Sequence, residues 1–256
     1  PLTLILSPIE ALIKETPEGP LQNVYKMINQ NGQRILRLIN QVMEMRKLDR
    51  GQVRLLTVPT DVDSFFRAIA SSFDNIAEEK HIQFEIHVEP GLPTVWIDQE
   101  KLDKVVFNVL SNAFKYTPEG GKVTIEIGKD GGDLKIRIAD SGEGVPAEQR
   151  ELIFNRFYQI PTKNNRNKMG TGIGLHLSRS LMEIHHGRIY VEDSSAGGAV
   201  FVVTLPLNND YLKKEEMQTE ASEDSLATLV QPALQDFVEE VQEEPLQGAA
   251  SMVFTP

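Results

Sequence analysis

The sequence predicts an α+β protein, a two-layer α/β sandwich preceded by an antiparallel α-helical hairpin, and three observations carry that expectation. Apolar residues recur at helical steps through the first 50 positions, short β-branched runs alternate with helical patterns from Val53, and beyond Leu207 the chain turns acidic and loses periodicity. Three segments follow: 1–51, a hairpin; 52–207, the sandwich; and 208–256, an acidic linker or tail.

In the hairpin, Leu2, Ile5, Ile9 and Leu12 recur at three- and four-residue steps. After Thr16-Pro-Glu-Gly-Pro20, the series Leu21, Ile28, Ile35 and Val42 recurs at seven, and Gly51 gives the stop signal near Arg50. Neither helix can hide its apolar stripe alone, so a four-helix bundle made by two chains is the natural solution. In the sandwich, the expected elements are a strand over 53–58, a helix over about 62–79, a strand over 82–88, and a short strand ending at Trp96-Ile97. Asp98 then caps a helix carrying Asn108 and Asn112. Strands over 122–128 and 134–139 form a hairpin around Lys129-Asp-Gly-Gly132, followed by a helix over about 173–186 and strands over 188–192 and 199–205. Helices on one face would leave the other face of the sheet exposed or covered by the helical hairpin. In the tail, Leu226 to Val241 has the pattern of a short amphipathic helix.

Composition removes several function classes. There is no cysteine, hence no disulfide framework and no thiolate zinc site, in keeping with a reducing cytoplasmic compartment. No apolar run approaches the ~20 residues of a membrane-spanning helix, and the opening Pro1-Leu-Thr-Leu-Ile-Leu lacks the basic start of a signal peptide. From Asp210 onward eleven acids face only Lys213 and Lys214, so nine of the net eleven negative charges sit in the tail and the body is nearly neutral. Neither part offers the basic face that direct nucleic-acid binding requires.

Three separated segments suit one chemistry, the grip of Mg-ATP. Asn108, Asn112 and Lys115 fall at i, i+4 and i+7, on one helical face. Asparagine is a poor helix former; the ordinary reading is a solvent-facing stripe, and the functional one is amide oxygens on Mg2+ with an ammonium on a phosphate. Asp140-Ser-Gly142-Glu-Gly144 follows the alternating run Leu134 to Ala139, so its carboxylate emerges at the sheet's end, either as an Asx turn or as an acceptor for an exocyclic amine. Gly170-Thr-Gly172-Ile-Gly174 precedes Leu175 and a helical pattern; the glycines either merely open the helix or let a loop and a helix N-terminus approach phosphates. There is no P-loop lysine motif in the chain.

Taken together, these boxes resemble the ATP-binding domain of bacterial sensor histidine kinases, within the GHKL superfamily shared with gyrase and mismatch-repair ATPases. Asn108-Val-Leu-Ser-Asn112-Ala-Phe-Lys115-Tyr116 is similar to the N box, Asp140 to Gly144 to the G1 box, Phe154-Asn-Arg156-Phe157-Tyr to the F box, and Gly170 to Leu175 to the G2 box. Gly197-Gly198 and Thr204 match the last glycine and adenine-side elements, and the likeness covers about residues 1–207. The resemblance implies a sandwich of GHKL (Bergerat) type. It implies Asp140 on the adenine amino group with Thr204 near it and Tyr116 against the ring, Asn108 and Asn112 on Mg2+, and Lys115 on a phosphate. It also implies a lid over Tyr158 to Met169 from which Lys168 or Arg156 reaches the γ-phosphate. Hydrolysing relatives carry a water-activating glutamate where Asn108 stands, which favours a kinase over an ATPase.

Pro1-Leu-Thr-Leu-Ile matches the stretch after the family's phospho-acceptor box, and the five histidines (His81, His87, His176, His185, His186) all lie in the ATP-binding segment. The expectation is therefore a fragment of an inner-membrane sensor, placed in the cytoplasm, without membrane contact of its own. It dimerises through the hairpin, serves a response-regulator receiver domain, and does not autophosphorylate in isolation. The tail is read as a linker or, alternatively, a docking segment. A non-catalytic nucleotide-binding or dimerisation scaffold and a GHKL ATPase are the competing functions.

Overall fold

The computed structural model describes residues 2–160, 171–194 and 197–218. Helix α1 (Leu2–Glu15) and helix α2 (Pro20–Asp49) form the expected hairpin, with Pro20 in the first turn where its missing N–H costs nothing. Gln22 Nε2 donates to the carbonyls of Ile13 and Thr16 and so ties the connecting loop. Leu6 is buried against Gly32, but Leu21, Ile28 and Ile35 are 56%, 43% and 48% exposed, so among the described residues nothing covers the seven-residue seam at these positions.

The last turns of α2 seat on the sandwich. Met45 is buried and Leu48 packs against the core, while Glu44 bonds Lys104 at 2.9 Å, Gln41 accepts from Thr171 at 3.1 Å and Asp49 pairs with Arg156 at 2.6 Å. The strand expected over 53–58 is shorter and later: β1 is Val58–Thr60, antiparallel to β3, Val95–Ile97. Residues 53–57 instead bridge hairpin and sheet, their backbone claimed by side contacts: Leu56 N–H donates to Asp98 Oδ2 at 2.9 Å and Thr57 N–H to the Glu216 carbonyl at 2.7 Å.

The helix expected over 62–79 is two helices, α3 (Val62–Ser71) and α4 (Asp74–Glu79). The break at Ser72-Phe73 turns on i→i+3 bonds and buries Phe73 completely, 5.2 Å from the rings of both Phe107 and Phe114. The apolar series runs through the break at helical spacing, so periodicity alone reads it as continuous.

The main sheet has order β2-β4-β5-β7-β6, from β2 (Gln83–Val88), β4 (Lys122–Asp130), β5 (Asp133–Asp140), β6 (Arg188–Glu192) and β7 (Val200–Pro206). Only the β2–β4 pair is parallel. Its inner face, including Val123, Ile125, Ile136, Ile138, Phe201 and Val203, packs on α3, α4, α5 (Gln99–Tyr116) and α6 (Gly174–Ile184) around one apolar core. Asp98 caps α5 as expected, accepting from Lys101 N–H at 3.2 Å. The outer face is polar and laced by Lys135–Glu192 and Arg137–Glu192 pairs, both 3.3 Å; the hairpin meets α5 and α6 and leaves this face open.

Residues 208–218 fold back: Tyr211 lies 4.9 Å from the His186 ring, and Met217 forms a parallel bridge with Thr57, whose carbonyl accepts from Gln218 N–H at 2.9 Å. The possible helix over 226–241 lies outside the described residues.

Candidate functional site

Asp140 ends β5 on the inner side of the sheet, 8% exposed. Its Oδ1 accepts from Gly142 N–H at 2.9 Å and Ala199 N–H at 3.3 Å, and among the described residues Oδ2 accepts nothing. The Asx turn and the acceptor site are therefore one arrangement: the turn fixes the carboxylate through one oxygen and leaves the other. Burial raises the Asp140 pKa above the usual carboxylate range, against the opposing pull of the two N–H groups.

The loop after Asp140 is clasped from two sides. Gly142 rides against the Tyr116 carbonyl at the end of α5, where a Cβ would come within 2.6 Å. Gly144 faces the Gly198 backbone. Gly198, at φ +78°, presses on the Asp140 carbonyl, a contact no side-chain-bearing residue permits. Tyr116 is 39% exposed at this end, and Lys115 is half-buried beside it.

One and two turns back along α5 stand Asn112 and Asn108, about 6 Å apart per four residues. Asn108 Nδ2 donates to Ser178 Oγ at 2.9 Å, which turns Oδ1 toward Gly174, the first residue of α6. Neutral amide oxygens in this position are hard donors, suited to Mg2+ whose remaining ligands are phosphates and water. Among the described residues no cluster of three His, Asp or Glu side chains suits a metal ion. Gly172, at φ +67°, accepts from Phe157 N–H at 2.8 Å, and Thr171 Oγ1 caps Ile173 N–H at 3.3 Å. Leu175 is half-buried against the core, which fixes the first turn of α6.

Asp140, Gly142, Tyr116, Asn112, Asn108 and Gly174 are thus brought into one row, about 12 Å long along α5. Thr204 is not part of it. It pairs with Lys135, five residues from Asp140 on β5, which sets it about 17 Å away and on the outer face of the sheet. The position near Asp140 belongs to Ala199, whose contribution is a backbone N–H and hence invisible in residue type. Arg156 also departs from expectation: its guanidinium turns to α2, bonding Asp49 at 2.6 Å and His176 Nε2 at 2.9 Å. Accepting on Nε2 places the His176 proton on Nδ1, which donates to the Phe154 carbonyl at 3.1 Å. Gly170 and Lys168, and most of the segment read as a lid, lie outside the described residues. Ser178 escaped the sequence reading, although a serine between Leu177 and Leu181, one turn past Gly174, was a signal.

Comparison with known proteins adds a family match, two relatives and two solved structures. Residues 97–209 match the family described as histidine kinase-, DNA gyrase B-, and HSP90-like ATPase. Sensor histidine kinase TmoS of Ectopseudomonas mendocina is 36% identical over 211 residues, 81% of this chain and 22% of that protein. Sensor histidine kinase WalK of Bacillus subtilis (strain 168) is 31% identical over 218 residues, 82% of this chain and 35% of that protein. Among solved structures, full-length ShkA in complex with AMPPNP aligns with TM-score 0.66 and 27% identity over 80% of this chain and 44% of that one. The catalytic domain of histidine kinase ThkA aligns with TM-score 0.53 and 25% identity over 60% of this chain and 97% of that one. The chain spans about a fifth of the length of the first curated relatives it matches.

Proposed function

We propose a phosphoryl-transfer role on one premise: this chain carries the ATP-binding catalytic part of a sensor histidine kinase, within the histidine kinase-, DNA gyrase B-, and HSP90-like ATPases. The observation that carries the role is the row from Asp140 to Gly174, long enough for adenine at one end and a polyphosphate at the other. In this reading the free Oδ2 of Asp140 accepts from the adenine amine, Tyr116 lies against the ring and Lys115 meets a phosphate. Asn108 and Asn112 hold Mg2+ through their amide oxygens, and the bound metal supplies neutralisation of phosphate charge. The start of α6 faces the anion with its unpaired N–H groups.

The γ-phosphoryl group passes to a histidine outside these 256 residues. None of the five here sits on the hairpin, and His176 and His185 are engaged through Nδ1 with backbone carbonyls. The row offers no carboxylate at positions 108 or 112 to activate water, which supports slow hydrolysis. The uncovered seam of Leu21, Ile28 and Ile35 supports a homodimer joined as a four-helix bundle, and a response-regulator receiver domain is the proposed recipient. No described helix is long and apolar enough to cross a membrane; the parent is proposed to be an inner-membrane sensor with this part in the cytoplasm.

The test is titration of the full chain with a fluorescent ATP analogue, with and without Mg2+. Saturable, Mg2+-sensitive binding followed by transfer to a separately supplied histidine-bearing hairpin is the expected result. Turnover of many ATP per second by the chain alone would place it among the hydrolases instead.

A further inference from the structure

At the joint between hairpin and sandwich, the end of α2, the linker after it and the start of α5 enclose a groove of about 560 Å³. Its apolar lining includes Met43 and Leu56, 50% and 45% exposed, with Val53 between them. Four cations line it. Lys104 is engaged by Glu44 and Glu100, each at 2.9 Å, and Lys101 by Asp98. Lys47 and Arg54 are exposed and make no ion pair among the described residues. The groove therefore pairs an apolar floor with two unanswered positive charges.

The chain itself carries a complement. Beyond Gln218, 38 residues contain eight carboxylates (Glu220, Glu223, Asp224, Asp236, Glu239, Glu240, Glu243, Glu244) and no lysine or arginine, with Leu226, Leu229, Leu234 and Phe237 among them. Their starting point is fixed beside the groove, because Gln218 N–H bonds the Thr57 carbonyl at 2.9 Å and Thr57 adjoins Leu56. At ~3.3 Å per extended residue, a handful of residues reaches any part of it. A short tether also sets an effective concentration on the order of millimolar, so a weak contact is populated.

We propose that the acidic segment beyond Gln218 docks in the same chain on this groove, its carboxylates on Lys47 and Arg54 and its apolar residues on Met43 and Leu56. The second cationic depression, on the outer sheet face, does not compete equally. Its Lys135 and Arg137 already answer Asp130, Glu126 and Glu192. A segment seated at the joint touches α2 and α5 together and so holds hairpin and ATP-binding domain in one arrangement. The inference stands on charge and chain path and is independent of the nucleotide assignment.

With no native cysteine, Gln235→Cys provides a single site for a nitroxide on the full chain. Paramagnetic broadening of amide signals is expected at Lys47, Arg54 and Leu56 but not at Lys129 on the outer sheet. It should vanish in Lys47→Glu/Arg54→Glu, whose β5 amide shifts report an intact fold. Adding Glu239→Lys/Glu240→Lys to that variant should restore it. Broadening that is absent, spread over the surface or centred elsewhere overturns the proposal. So does equal broadening when spin-labelled chains are mixed with separate isotope-labelled ones, which would make the occupant a second copy.

Discussion

Arg156 and Asp49, 107 positions apart in sequence, meet at 2.6 Å and join the sandwich to the last turn of α2. Both side chains are more than 40% exposed, so the pair contributes under about 1 kcal/mol to global stability. Asp49→Asn should leave the melting temperature nearly unchanged. Because α2 seats through few contacts, local opening should respond more: amide exchange over residues 45–50 is expected to quicken several-fold while β5 amides stay as they were. Equal rates in both proteins would show that Met45 and Leu48 alone seat the helix.

Asp140→Asn replaces one acceptor oxygen with a donor where the adenine amine is proposed to bind. Analogue affinity should fall about 10- to 100-fold, the worth of a charged hydrogen bond. Since burial raises the Asp140 pKa, wild-type affinity should decline on acidification at a pH above the ordinary carboxylate range, and the variant should lack that inflection. An inflection persisting in the variant would assign it to another group.

Ser178→Ala removes the acceptor that orients the Asn108 amide. The site should keep metal-free nucleotide binding within about twofold and lose roughly tenfold of its Mg2+-dependent gain, in line with a supporting contact to a metal ligand. Titrations with and without Mg2+ separate the two; an equal loss in both would indicate a packing defect.

Asp103 is 6% exposed on α5, its Oδ1 has no hydrogen-bond partner among the described residues, and desolvation pushes its carboxyl to about 6. A carboxyl raised in the folded state favours the fold most when protonated. Its contribution is complete below about pH 4 and is lost as pH rises through 6, amounting to at most about 3 kcal/mol. Denaturant unfolding from pH 4 to 8 should show that slope in the wild type, and Asp103→Asn should flatten it.

Gly197 and Gly198 both have positive φ, +84° and +78°, yet only Gly198 faces a wall. Among the described residues a Cβ at Gly197 meets nothing within 4 Å, whereas at Gly198 it collides with the Asp140 backbone, which cannot rotate away. Gly197→Ala should cost about 1 kcal/mol and Gly198→Ala more than about 2 kcal/mol with loss of nucleotide binding. Similar unfolding midpoints for the two variants would contradict this contrast.

Helices α5 and α6 and strands β4 to β7 were legible because each buries an apolar face, as with Leu134, Ile136 and Ile138 on β5, and the hairpin because its apolar stripe repeats at helical steps even where it is exposed. What escaped lacked a periodic signal. The break at Phe73 preserves helical spacing on both sides, and residues 53–57 look strand-like yet spend their backbone on Asp98 and Glu216. In the site, side chains with distinctive chemistry (Asp140, Asn108, Asn112) were readable, but Ala199 acts through its backbone. Thr204 had suitable chemistry on the wrong face, and strand parity is set by a register that the sequence does not print. Arg156 was legible as a functional residue, but its partner Asp49 becomes visible only once α2 is seated.

The bridge between Thr57 and Met217 closes a ring of some 160 residues with a few backbone hydrogen bonds. The way into the sandwich at residue 57 and the way out at residue 217 therefore lie side by side, spaced as neighbouring strands. Residues 57–217 are thus suited to transplantation as a cassette whose two ends can be grafted at one point.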